Sequence, residues 1–261
     1  MSIYAIGDLH LSLDPRIDKP MDIFGPNWRA HHLQVQENWL AKVKEDDTVI
    51  IVGDISWGLR LDEAMLDLTW ISKLPGFKVI TKGNHDLWWT STNKLNTLFE
   101  NIYFLQNKGI YLEKENAYIC GTRGWITPGT RDFDVHDEKI YKRELLRLKM
   151  SLDDVANQKK NKPDTENASI IAAIHYPPAS SKAGSGFTEM LSENKVEKCV
   201  YGHLHGLKDQ RNCIRGIIDN VEYSLVALDY INADPVKIKN VNVFNEFGGY
   251  RYEEGNFNSI G

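Results

Sequence analysis

Val49-Ile50-Ile51-Val52-Gly53-Asp54 decides how this chain reads: an unbroken apolar run, then a glycine and a carboxylate. A short continuous apolar run stopped by a turn residue marks a strand buried on both faces. The pattern recurs down the chain. Residues 3–6 lead into Asp8-Leu9-His10, residues 79–80 into Gly83-Asn84-His85-Asp86, residues 170–174 into His175, and residues 199–201 into Gly202-His203-Leu204-His205-Gly206. In α/β sheets, ligands gather just beyond the carboxyl ends of strands, so these five motifs are expected to converge on one cleft.

Between the motifs the period changes. Gln36, Trp39, Leu40 and Val43 predict a helix over residues 31–45, and Leu61, Ala64, Met65, Leu68 and Ile71 predict a second, ended by Pro75-Gly76. Strand, helix, strand, helix, strand is the order that builds a parallel sheet. Residues 90–99 suit a short helix, and residues 102–105, 110–112 and 117–120 suit short strands. The clearest helical stripe is Tyr141, Leu145, Leu148, Leu152 and Val155, with Asp137 and Glu138 placed to favour its N-terminus. The polar stretch 158–167 reads as a solvent loop. After His205 the segments 211–218 and 222–228, joined by the turn signal Asp219-Asn220, predict a hairpin and a second sheet. The tail after Pro235 has no assignable role.

The ligands run from Asp8 to His205, so any cut between them would divide the site, and all 261 residues are expected to form a single domain. With 42% hydrophobic and 26% charged residues the composition is globular. A net charge of −5 argues against a broad basic surface for nucleic acid. Cys120, Cys199 and Cys213 are too few and too scattered for a disulfide framework, which fits a reducing compartment, and with no signal-peptide pattern the expected location is cytoplasmic. No apolar run is long enough to span a bilayer, so no membrane is expected as a partner.

Carboxylate oxygen, imidazole nitrogen and amide oxygen suit borderline divalent ions such as Mn, Fe or Zn. Residues i and i+2 of an extended segment face the same side, so Asp8 with His10, and His203 with His205, can each grip metal. Asp54 can bridge two ions through its two oxygens. Two such ions outweigh the charge of Asp8 and Asp54, and the excess suits a phosphate anion. A water bridging them loses a proton near neutral pH and becomes a nucleophile for in-line hydrolysis.

The motif order D-x-H, G-D, G-N-H-D, H, G-H-x-H resembles the calcineurin-like metallophosphoesterases over residues 3–206. The resemblance implies a four-layer α/β/β/α sandwich, two mixed β-sheets flanked by helices. It implies Asp8, His10, Asp54 and His205 on one metal, and Asp54, Asn84, His175 and His203 on the other. By the same analogy His85 is no ligand but assists the leaving oxygen, oriented by Asp86. The second motif lacks the Asp-Arg continuation of the superfamily's protein Ser/Thr phosphatases, which argues against a protein substrate. His175-Tyr176-Pro177-Pro178 is similar to the His-His-Pro-Pro segment of small bacterial phosphoesterases and cyclic-nucleotide phosphodiesterases, with Tyr176 in place of one histidine.

The expected activity is hydrolysis of a small phosphomonoester or phosphodiester. The rivals are a metal-binding scaffold of the same fold, which would have no need of His85, and a nuclease, which the acidic chain disfavours. Arg60, Arg123 and Arg143 are candidates to pair with substrate phosphate, against the ordinary reading of salt-bridged arginines. Trp57, Trp88, Trp89 and Trp125 stand near motifs, where core packing competes with substrate contact. Arg123, Trp57 and Tyr176 are the residues assigned to substrate contact. His31, His32 and His136 fall outside every motif and read as surface or loop residues.

Overall fold

The computed structural model describes residues 1–131, 133–179, 184–211 and 213–240. Two sheets stack face to face. The first has the order β11-β1-β2-β3-β4, in which β1 (Ser2–Ile6), β2 (Thr48–Ile51), β3 (Phe77–Thr81) and β4 (Ile102–Leu105) run parallel and β11 (Val236–Asn240) closes the edge antiparallel to β1. The second has the order β5-β6-β7-β8-β10-β9. Its centre, β6 (Ala117–Thr122), β7 (Ser169–Ile174), β8 (Lys198–Tyr201) and β10 (Val221–Leu225), is parallel, while β5 (Ile110–Leu112) and β9 (Gly216–Ile218) are antiparallel edges.

Side-chain alternation explains the layering. Ile3, Ala5, Ile50, Val52 and Val79 of the first sheet meet Ile119, Ile171, Ala173 and Val200 of the second in a core between the sheets. Their neighbours Tyr4, Ile6, Val49, Ile51 and Ile80 face the other way, under α1 (His31–Lys42) and α2 (Leu61–Ser72). Tyr118, Cys120, Ala172, Ile174 and Cys199 pack under α4 (Val135–Asn161) and α5 (Gly186–Glu193). Strands apolar on both faces are what a sheet sandwiched between another sheet and helices requires. The result is the expected α/β/β/α arrangement.

Several elements differ from the expectations, each for a local reason. In α1 the buried stripe is His31, Val35 and Trp39, an i, i+4 series, and Leu40 is exposed. Residues 158–161, expected in a loop, continue α4, where Gln158 bonds the Gly109 carbonyl and Asp154. This helix starts at Asp134, whose carboxylate accepts from Asp137 N–H while Asp137 returns the bond. The short helix expected over 90–99 is a single turn, α3 (Thr92–Leu95). The hairpin after His205 forms as expected, with Asp219 and Asn220 both at positive φ, and joins the second sheet through β8. Residues 236–240 supply the edge strand β11, and residues 241–261 of the tail lie outside the described residues.

Candidate metal centre

The site stands where the two sheets converge. Gly7 N donates to the Val226 carbonyl, and Val226 N to the Tyr201 carbonyl, so the segment after β10 ties the end of β1 to the end of β8. Ladder bonding outlasts the strands: Asp8 N bonds Gly53 O, His10 N bonds Asp54 O, and Gly202 N bonds His175 O. The ligand-bearing residues Asp8, His10, Asp54 and His203 all have positive φ, from +44° to +71°. Left-handed backbone at non-glycine residues costs free energy and persists where surroundings over-determine it. A Cβ on Gly83 would collide with Asp54, and one on Gly202 with Asp8, so glycine at these positions lets the carboxylates approach the backbone.

Two clusters result. The ligand atoms of Asp8, His10 and His205 lie within 4.8 Å of one another, as do those of Asp54, His175 and His203. Asp54 joins them, its Oδ2 lying 3.8 Å from His10 Nε2 and 3.4 Å from His175 Nε2. Asn84 completes the second group, with Oδ1 2.7 Å from His175 Nε2. All seven residues that the sequence places at the centre are thus assembled in one place.

The donor set fits cations. Val52 O lies 2.8 Å from His175 Nδ1, which must therefore carry the proton, leaving Nε2 as a bare lone pair. That lone pair faces two more acceptors, the Asn84 and Asp54 oxygens. In the other cluster His10 Nε2 and His205 Nε2 face each other at 3.3 Å, while His205 Nδ1–H donates to Asp229 Oδ1 at 2.9 Å. Acceptors converging on acceptors repel unless a positive ion stands among them.

Titration behaviour points the same way. Burial pushes Asp8 well above the usual carboxylate range and raises Asp54. Burial lowers His175 to about 3 and His203 to about 2, with neighbouring imidazoles adding to it, and His10 also falls well below its ordinary value. These histidines are neutral and free to ligate at physiological pH. His205 moves upward: burial works against its cation, but the Asp229 hydrogen bond and the Asp8 charge prevail. With His10, His175 and His203 held neutral, and with Asp54 shared between the clusters, the seven ligand residues can bind two divalent ions.

A family model, calcineurin-like phosphoesterase, matches residues 1–207. The chain belongs to the calcineurin-like phosphoesterases. Among curated relatives, the gene 66 protein of Mycobacterium phage D29 is 36% identical over 86 residues, a match covering 33% of this chain and 40% of that protein. Among solved structures, the protein of unknown function AQ665 from Aquifex aeolicus has a TM-score of 0.47 at 17% identity, covering 90% of this chain and 95% of that one. The phosphopantetheinyl hydrolase of Mycobacterium tuberculosis has a TM-score of 0.49 at 13% identity, covering 91% and 95%.

Other candidate residues of this calcineurin-like phosphoesterase fall into place differently. His85 is exposed beside the clusters, its backbone N–H donating to Asp54 Oδ1 at 2.8 Å and its ring 4.4 Å from that of Trp57. Trp57 also stacks on His10 at 4.9 Å, so it walls this flank. Asp86, expected to orient His85, bonds elsewhere. Its buried carboxylate accepts from the backbone N–H groups of Asp54, Ile55, Ser56 and Gly83 and from the Trp88 indole, and among the described residues it has no bond to the His85 ring. Burial and the Asp54 charge push Asp86 up to about 7 against the pull of those amides.

Tyr176 is buried with its ring 4.0 Å from His203 and 5.0 Å from Trp125. Arg123 points to Glu144, 3.2 Å away, and lies over the Trp125 ring at 4.5 Å, while its buried Nε has no partner among the described residues. Glu144 is fully buried and is also met by Arg147 and Arg143. Arg60 is exposed and paired with Asp62 and Glu63 at the start of α2. Trp88 and Trp89 pack in the core under the first sheet.

Two residues were invisible to motif reading. Asp229 binds His205 Nδ1, Gly206 N and Gln210 Nε2, and so orients a ligand; it follows the apolar run 225–228, the same signature as the motifs proper. His31 is buried, not on the surface: its ring nitrogens lie 3.0 Å from Trp28 O and 2.8 Å from Leu9 O, which pins the turn between Asp8 and His10. Its place as the first buried residue of α1, in register with Val35 and Trp39, was the available signal.

Proposed function

We propose that this chain is a dinuclear metal-dependent phosphoesterase hydrolysing a small phosphomonoester or phosphodiester, working in the cytoplasm without membrane or nucleic acid as a partner. The observation that carries the reading is the meeting of two acceptor-only clusters at Asp54. Asp8, His10, Asp54 and His205 would hold one ion, and Asp54, Asn84, His175 and His203 the other. Bound there, divalent ions such as Mn, Fe or Zn polarise phosphoryl oxygens and make a water acidic enough to attack phosphorus.

The chain's own residues do the rest. Val52 O and Asp229 fix the tautomers of His175 and His205, so both rings keep a lone pair towards the centre. Asp54 Oδ1 holds the His85 backbone at the edge of the clusters. From there the exposed imidazole can hand a proton to the departing ester oxygen. Trp57, stacked on His10 and packed at a tilt against His85, limits where that ring can swing.

The test is hydrolysis of p-nitrophenyl phosphate and bis-p-nitrophenyl phosphate by metal-stripped protein supplied with Mn, Fe, Zn, Co or Mg. Turnover restored by metal and lost in Asp54→Ala supports the reading, and the preferred ester separates monoesterase from diesterase. Two ions bound per chain with no turnover for any ester would favour a metal-binding scaffold.

A further inference from the structure

A cavity of about 320 Å³ opens against the second ligand cluster. His203 and Tyr176 belong to its wall and, through the 4.0 Å contact of their rings, to the metal centre as well. The rest of the wall is mainly apolar: Ile126, Pro177, Ala179, Leu204 and Cys213, with the methyl-bearing Thr127 and Thr130. Lys208 and Asp209 also border it and leave no net charge. The cationic cluster of Arg123, Arg143 and Arg147 is gathered on buried Glu144 instead.

We infer that this cavity is the subsite for the organic group of the substrate, and that it takes an uncharged, predominantly apolar substituent about the size of a bicyclic ring. The inference rests on the phosphoesterase reading and gives its substrate class. Continuity decides the occupant: a phosphoryl group held between the clusters carries its substituent past His203 and Tyr176 directly into the cavity. Size sets the scale. A dry cavity of about 150 Å³ accepts benzene, so this solvent-open space of about 320 Å³ has room for roughly two fused rings. Polarity sets the class, because a mainly apolar wall rewards apolar contact, while the polar groups at its border, Thr127, Thr130, Lys208 and Asp209, are too few to satisfy the hydroxyls of a sugar.

The experiment is calorimetric binding of 1-naphthylphosphonate and methylphosphonate to the Mn²⁺-loaded full chain, with Ile126→Trp and Cys213→Phe as two independent ways of filling the cavity. In the native chain the naphthyl compound is expected to bind at least about tenfold more tightly. Either variant that keeps its metal content is expected to lose most of this preference while its affinity for methylphosphonate stays within about threefold of native. Equal affinities in the native chain, or a preference untouched by both variants, would overturn the subsite. Failure of both phosphonates to bind, together with no ester hydrolysed, would sink the phosphoesterase reading and the subsite with it.

Discussion

Asp229 stands behind His205, its Oδ1 2.9 Å from Nδ1 while its Oδ2 accepts from Gly206 N and Gln210 Nε2. One carboxylate therefore sets both the tautomer of a ligand and the turn that carries it. Partners of this kind contribute about 10- to 100-fold to metal affinity. Asp229→Ala is expected to weaken binding at one of the two ions by that amount and to leave the other nearly unchanged. Stepwise metal titration with content measured by emission spectroscopy checks this; two sites weakened equally, or neither, would refute the assignment.

Asp86 makes a prediction of a different kind, because it holds the backbone of the Asp54 loop and does not touch the His85 ring. Removing it leaves buried N–H groups of residues 54, 55, 56 and 83 unpaired. Each orphaned donor costs about 1–3 kcal/mol, so Asp86→Ala should lower the stability of metal-free protein by about 3 kcal/mol or more. Thermal denaturation checks it. A variant with unchanged Tm but altered pH dependence of turnover would restore Asp86 as the group that orients His85.

His85 should behave in the opposite way. Its ring is exposed and only its backbone N–H bonds Asp54, so His85→Ala should fold and bind both ions as the native chain does. Turnover should fall by about 10²–10⁴ for esters of alkyl alcohols, which need a proton as they leave. Nitrophenyl esters, whose leaving group is stable as an anion, should lose much less. A steady-state series over leaving groups of graded pKa reads this out, and a uniform loss across the series would remove His85 from proton donation.

What was legible before the structure follows from physics that acts locally. Strands such as residues 49–52 and 170–174 announce themselves because sheets covered on both faces need unbroken apolar runs, and each ligand follows such a run directly. The stripe from Tyr141 to Val155 was equally plain, because a long helix against a sheet must repeat its apolar face. Harder to read were residues whose role is made by distant partners. Asp86 sits in the third motif, yet three of its five bonds run to the backbone of the second. Asp229 bonds a ligand 24 residues away in sequence, and His31 the Leu9 carbonyl, between two ligands, 22 residues away; no spacing rule links them. β11 pairs with β1 across nearly the whole chain, an edge contact whose short, lysine-bearing sequence carries little signal of its own.

Asp67 offers a test of pH dependence away from the metal ligands. It lies on α2 with no exposure, accepting from Leu13 N at 2.8 Å and from the Ser56 hydroxyl, and burial pushes it up to about 6. A carboxyl whose folded pKa exceeds its unfolded value of 3.8 binds protons more tightly in the native state. The native state therefore gains below that range, loses stability as pH rises from about 4 to about 6, and stays at the lower level above it. The span corresponds to at most about 3 kcal/mol. Asp67→Asn keeps an oxygen to accept from Leu13 N–H, turns an amide NH2 that can donate to Ser56 Oγ, and cannot ionise. Denaturation of metal-free protein should find this variant more stable than native at pH 8 and no more stable at pH 4, so that the difference grows through the intervening range. A difference independent of pH would mean that Asp67 is ionised throughout, held so by its two donors.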